Sequence, residues 1–194
     1  MIGEPSGHRR EEWFPVLYLF GFDRIGVAVS DIYFVDPNPM KGQEGAERGV
    51  RLELRRLESG ELQGSIYSAR PITIDRPIWR VDLLESVDGT PGSFDRTHHH
   101  PGTSGWEPGE RVFDRHLSAE PLKWLAERLA DLEDVLDRAG ADRDEASPAD
   151  VAGLRERAPE IVETVGRMLD DVRAGRLGTP PGTEPATSVR ASWL

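Results

Sequence analysis

Val50-Arg51-Leu52-Glu53-Leu54-Arg55-Arg56-Leu57 alternates apolar and charged residues. Successive side chains of an extended chain point to opposite faces. Val50, Leu52 and Leu54 therefore share one face and Arg51, Glu53 and Arg55 the other, as in a half-buried antiparallel strand. Downstream, Ser59-Gly60-Glu61 is a turn signal. A further strand is expected over 64–74, weakened by Pro71, and Asp75-Arg76-Pro77 turns it into a strand over 78–84. In that strand Trp79, Val81 and Leu83 share one face, and Ile78, Arg80, Asp82 and Leu84 the other. Upstream, Val27, Val29, Ile32, Phe34 and Val35 are β-branched or aromatic and read as a strand that Pro37-Asn38-Pro39 stops. A polar loop covers 41–49. The apolar run Val16-Leu17-Tyr18-Leu19-Phe20 fits a buried strand or a helical turn.

Residues 85–116 are rich in Gly, Pro, Asp, Thr and His and lack periodicity, apart from a short strand expected at 111–114. Loops of this length in a compact domain are usually functional or disordered. Two helices follow. Ser118 caps the first, which carries Leu122, Leu125, Leu129, Leu132 and Leu136 at spacings of three and four and ends at Gly140. Ser147-Pro148-Ala149-Asp150 opens the second, in which Val151, Leu154, Ile161, Val165, Leu169 and Val172 continue the stripe and Pro159 marks a break or kink. The reading is an α+β domain over 13–174: an antiparallel β-meander of three to five strands (16–115) packed against two C-terminal amphipathic helices (118–139 and 148–174). Residues 1–12 are expected to be a flexible N-terminus, and the Gly/Pro/Thr-rich 175–194 a disordered tail.

Hydrophobic residues make up 37% of the 194 residues and charged residues 30%, enough for one core with some chain left outside it. No run approaches the ~20 apolar residues that cross a bilayer. The first residues lack the layout of a secretory signal. The chain has no cysteine, which excludes a disulfide framework and cysteine-ligated zinc or iron–sulfur centres. These features point to the cytoplasm and away from a membrane. The net charge of -11 argues against nonspecific nucleic-acid binding. The charge is uneven: residues 118–174 hold fifteen acidic and eight basic side chains, while 48–80 hold seven arginines and four acids. Several mechanisms lack their motif: there is no Gly-rich phosphate loop, no dinucleotide fingerprint, no His-Glu-x-x-His and no Gly-x-Ser-x-Gly elbow.

The chemistry concentrates at Asp95-Arg96-Thr97-His98-His99-His100. An extended segment sends His98 and His100 to one side and His99 to the other. Two imidazoles could then converge on a metal, a phosphate or a proton in flight. Arg80 and Asp82, two apart on a strand, could bind a phosphate and orient an imidazole. Asp95 is a second candidate for that orienting role, Arg96 a second phosphate ligand, and Trp106 an aromatic platform for a base or sugar. Glu107 could supply a further carboxylate. The sequence identifies no cofactor and commits no residue to a metal.

Ile78-Trp79-Arg80-Val81-Asp82 followed by His98-His99-His100-Pro101 resembles the TumE-type toxins of bacterial toxin–antitoxin pairs, over residues 50–101. The resemblance implies an RNase-like toxin in which Arg80, Asp82, His98 and His100 would be the working residues. The chain departs from that pattern in Leu83 after the Asp, in a longer spacing to the histidines and in the helical region that follows. Two functions are therefore expected. One is a protein-interaction or regulatory component of a multi-protein system, its basic partner met by the acidic helices or by the tail ending Ser192-Trp193-Leu194. The other is a phosphodiester-cleaving enzyme working through 80–100, with RNA held on the arginine-bearing sheet.

Overall fold

The computed structural model describes residues 16–60 and 71–180. The alternating stretch lies in the middle of a five-stranded antiparallel sheet whose strands pair in chain order: β1 (Leu17–Gly21), β2 (Ile25–Val35), β3 (Ala46–Ser59), β4 (Ile72–Ser86) and β5 (His98–His100). A two-residue hairpin of β6 (Thr103–Ser104) and β7 (Glu107–Pro108) follows. The expected α+β meander is the architecture observed. The apolar run at 16–20 becomes edge strand β1, with Leu17, Tyr18 and Leu19 exposed. The strand expected at 111–114 is reduced to one bridge, Val112 with His99.

One difference concerns Asp75-Arg76-Pro77, expected as a turn and found inside β4. The register between β3 and β4 slips on both sides of Arg55, which faces Pro77. A bulge tolerates the missing proline N–H, and the Arg55 Nε donates to the Asp75 carbonyl at 2.9 Å. The strand therefore bends through the proline. Residues 64–70 of the expected strand lie outside the described residues. Near the other end of β3, Gly49 lies so close to β4 that a Cβ there would stand 1.9 Å from the Leu83 carbonyl oxygen. Only glycine permits that approach.

The first expected helix is divided into α1 (Arg115–Ala119), α2 (Pro121–Ala130) and α3 (Leu132–Ala139). Proline cannot donate to the preceding turn but suits a first helical position, so the chain restarts at Pro121. Asp114, not Ser118, caps α1, its Oδ1 accepting from the His116 N–H at 2.7 Å. Asp131 caps α3 through the Asp134 N–H, and Gly140 closes it at φ 63. The second expected helix is α4 (Pro148–Arg173), which runs through Pro159 unbroken. Its Ser147–Asp150 capping box is complete. The other oxygen of Asp150 accepts from the Asp23 and Arg24 N–H groups at 2.8 and 3.1 Å, tying the β1–β2 turn to the helix start.

One face of the sheet packs on α2, α3 and α4. Val27, Val29, Val50, Leu52, Val81 and Leu83 meet Leu125, Leu129, Leu136, Ile161 and Val165, all buried, and Trp79 stacks on Trp124. Area removed from water here supplies the main folding force. The exposed charges of α4 are partly neutralised along the helix by pairs such as Arg157–Glu160 and Arg167–Glu163. Residues 175–180, expected to belong to the tail, instead pack on the domain: Gly178 donates to the Asp31 carboxylate at 2.9 Å and Leu177 packs on the core. The expected flexible N-terminus at 1–12 and the tail from 181 lie outside the described residues. Among the described residues no helix is long and apolar enough to cross a membrane.

Candidate functional site

The sheet face turned away from the helices carries the chemistry. Two rows of neighbouring residues cross it: Leu17, Ser30, Arg51, Asp82 and His98, and beside them Leu19, Ala28, Glu53, Arg80 and His100. The alternation in β3 that predicts a polar outer face is therefore real, but the face is not simply solvated. Asp82, His98 and His100 are only 2–3% exposed.

β5 is held in register by Thr97. Its hydroxyl accepts from the Leu84 N–H at 2.9 Å and donates to the Leu84 carbonyl at 3.0 Å, a side-chain continuation of the ladder that ends at Asp82 and His98. The far side of the site is closed by 109–113. Phe113 lies on the His98 ring, and Arg111 crosses the sheet to Asp36 and the Phe34 ring. Arg96 anchors the β2–β3 loop through the Gly42 and Glu44 carbonyls.

Within this frame the Asp82 carboxylate meets three cationic or basic groups. Arg51 binds it from β3, Nε to Oδ1 at 2.7 Å and Nη2 to Oδ2 at 3.3 Å. The Nε2 atoms of His98 and His100 lie 3.6 and 3.7 Å from Oδ2. Burial alone pushes the Asp82 carboxyl up, but the facing His100 imidazole and the Arg51 guanidinium outweigh it and hold it well below the usual carboxylate range. Burial lowers His98, only partly countered by the Arg96 carbonyl and by Asp82, so its neutral ring is favoured.

The tautomers follow from the other ring nitrogens. His98 Nδ1 lies 2.8 Å from the Arg96 carbonyl and His100 Nδ1 2.7 Å from the Gly109 carbonyl. A carbonyl only accepts, so each Nδ1 carries a proton and each ring turns its Nε2 towards Asp82, as a lone pair whenever that ring is neutral. Both Nε2 atoms stand beyond ordinary hydrogen-bond length from Asp82 Oδ2. Two imidazole nitrogens and a carboxylate oxygen thus converge, all three within 4.8 Å of one another. Such a set can hold a proton or a cation, and the neutral imidazoles can act as bases.

Of the residues singled out from the sequence, Asp82, His98 and His100 come together. Arg80 shares their face, but its guanidinium binds Glu53, Nε to Oε1 at 2.9 Å. Asp95 braces a turn, accepting from the Ser86 N–H and from the Ser86 and Ser93 hydroxyls. Arg96 holds the loop described above. Trp106 is exposed, with the Arg55 guanidinium 5.0 Å from its ring centroid. Glu107 is exposed in β7. His99 points the other way, towards Trp124 at 5.1 Å, and burial pushes its pKa down to about 4 against a smaller pull from Asp114.

Arg51, Glu53 and Thr97 are the neighbours that sequence reasoning missed. A signal for the first two existed: pairing Arg51-x-Glu53 antiparallel with Arg80-x-Asp82 sets each charge opposite its counter-charge. Thr97 gave no comparable signal, because its role depends on where β4 ends its pairing. Comparisons with protein-family models, with curated proteins and with solved structures find no match to this chain.

Proposed function

We propose that this domain is a hydrolase-type enzyme whose reactive centre is Asp82, His98 and His100. What supports the reading is the burial of three titratable side chains in one cluster outside the hydrophobic core. Placing ionisable groups out of water opposes folding by several kcal/mol (about that much per ion), and such clusters concentrate at functional sites. A neutral imidazole beside an ionised carboxylate provides a base, and Arg51 is the cation nearest the cluster. RNA is the first substrate to try, because the likeness to TumE-type toxins rests on these same residues. Phosphate recognition would then fall to Arg51, which already lies on Asp82 and is more exposed than Arg80.

The test is cleavage of an RNA oligonucleotide and of bis(p-nitrophenyl) phosphate by the full chain, with Asp82→Asn and His100→Gln as controls. General acid–base groups contribute about 10²–10⁴-fold, so either variant should lose at least about 100-fold. Full rates in folded variants, or no turnover by the wild type, would refute the proposal.

A protein-interaction role is the second reading, and one observation favours it. Edge strand β1 exposes Leu17, Tyr18 and Leu19, at 61%, 42% and 42%, and an exposed apolar edge is suited to strand addition by a partner. On this reading a partner would add at β1 and not on the acidic helices, whose charges are partly self-paired. Leu17→Lys/Leu19→Lys should abolish any self-association or partner capture seen by light scattering and affinity isolation; unchanged association rules β1 out.

A further inference from the structure

We propose that Asp82 Oδ2, His98 Nε2 and His100 Nε2 bind one divalent first-row transition-metal ion. This rests on the same reading of the cluster as a working centre, but it adds a ligand that the reading does not require. Three features carry it.

The first is the orientation of the imidazoles. A metal-ligating histidine almost always donates its other ring N–H to a carbonyl or carboxylate, which fixes the tautomer and aims the lone pair. Both rings do this, through the Arg96 and Gly109 carbonyls. They come from alternate positions of one short strand, so the strand geometry itself sets them side by side.

The second is distance. Metal–ligand bonds to imidazole nitrogen and carboxylate oxygen are about 2.0–2.2 Å, so ligands around a tetrahedral ion stand roughly 3.4 Å apart. The observed 3.6 and 3.7 Å need only a small contraction. They exceed an N–H···O bond, which is about 2.7–3.2 Å.

The third is the chemistry of the donors. Two imidazoles and one carboxylate suit zinc, iron(II), cobalt(II) or manganese(II), while magnesium and calcium prefer all-oxygen sets. Arg51 holds Oδ1 at 2.7 Å and Oδ2 more loosely at 3.3 Å, so Oδ2 keeps a lone pair for a monodentate bond. Three protein ligands leave a coordination position for water or substrate, the arrangement of catalytic sites and not of closed structural ones.

The experiment uses the full chain, purified without a polyhistidine tag and treated with a chelator. Cobalt(II) is titrated in, read by its visible ligand-field absorption, and zinc(II) is then used to displace it. One equivalent per chain is expected, with no competition from excess magnesium(II). Outer-shell losses alone weaken metal sites about 10–100-fold, so loss of a direct ligand in Asp82→Asn or His100→Gln should weaken binding by at least about 100-fold. Where a variant does not fold, imidazole ¹⁵N shifts of the wild type give the same answer. Zinc(II) should move Nε2 of His98 and His100 and leave His99 and His116 in place. No stoichiometric binding, equal binding by folded variants, or shifts at other histidines would overturn the proposal. Metal binding without turnover would sink the hydrolase reading alone, and chelator-insensitive turnover without metal binding would sink this one alone.

Discussion

Replacing Arg51 with methionine keeps the aliphatic stem and removes the guanidinium that neutralises Asp82. The magnitude follows from the geometry. Arg51 meets both carboxylate oxygens, and the side chains are 28% and 3% exposed. Breaking a buried pair by deleting one partner costs about 3–5 kcal/mol, chiefly from the charge left behind. The partial exposure of Arg51 puts this case at the lower end, about 3 kcal/mol. For a chain of this size each kcal/mol moves the melting point by about 2–4 °C, so a fall of roughly 6–12 °C is expected. The assay is denaturant unfolding at neutral pH in chelator-containing buffer, with thermal melting alongside. Arg51→Met/Asp82→Leu removes both charges and should regain most of the loss, which a double-mutant cycle reads directly. Zinc(II) should then stabilise Arg51→Met by more than it stabilises the wild type, because a bound cation substitutes for the missing one. At 100 times its Kd a ligand of the folded state adds about 2.7 kcal/mol. A loss below about 1 kcal/mol, the range of exposed pairs, or strictly additive single changes, would refute the account of Asp82 as a buried, charge-compensated group.

Three further outcomes are expected. Asp150→Ala removes the capping box of α4 and orphans the Asp23 and Arg24 N–H groups; with a cap contributing about 1 kcal/mol and charge-assisted bonds about 1.5–3, the unfolding free energy should fall by about 3 kcal/mol, and a change within error would contradict the tether. Burial lowers His99 from 6.5 to about 4, so the unfolded chain takes up the proton first and stability is lost as pH falls through that window; His99→Leu should flatten the acid limb of a stability–pH profile, and an unchanged slope would count against a buried neutral ring. Glu47 runs the other way, raised by burial despite Arg96 and Arg111, so its ionisation opposes folding as pH rises; Glu47→Gln should raise the unfolding midpoint at neutral pH and lose that advantage in acid, and a destabilised variant at neutral pH would reverse the reasoning.

The sheet was legible because period-two alternation is a local property. Val50 to Leu54 and Trp79 to Leu83 declare their buried face by spacing alone, and the same rule correctly divides His98 and His100 from His99. The helix boundaries were harder. Leu122 to Leu136 keep a continuous apolar stripe across Asp131, and the breaks that make three helices of one fall at Glu120–Pro121 and at the Asp131 cap. Pro77 misled for a related reason: a proline reads as a turn until a bulge opposite it is known, and the bulge is a property of the pair of strands.

The site was legible in its chemistry and not in its partners. Residue type and spacing bring Asp82, His98 and His100 onto one face. Which arginine serves Asp82, however, depends on the register between β3 and β4. Arg80 is two residues from Asp82 and its side chain points the same way, yet in an antiparallel sheet the directly opposed residue is closer than the next one along the same strand face. Arg51 holds that opposed place, and Glu53 takes Arg80 by the same rule. The convergence of both Nε2 lone pairs depends on a still more distant fact: the Gly109 carbonyl, on the strand-like return after the β6–β7 hairpin, reaches back to His100. That contact, together with the Arg96 carbonyl on His98, turns a run of three histidines into two aimed ligands, and it is the reason the proposed metal site rests on the structure and not on the run itself.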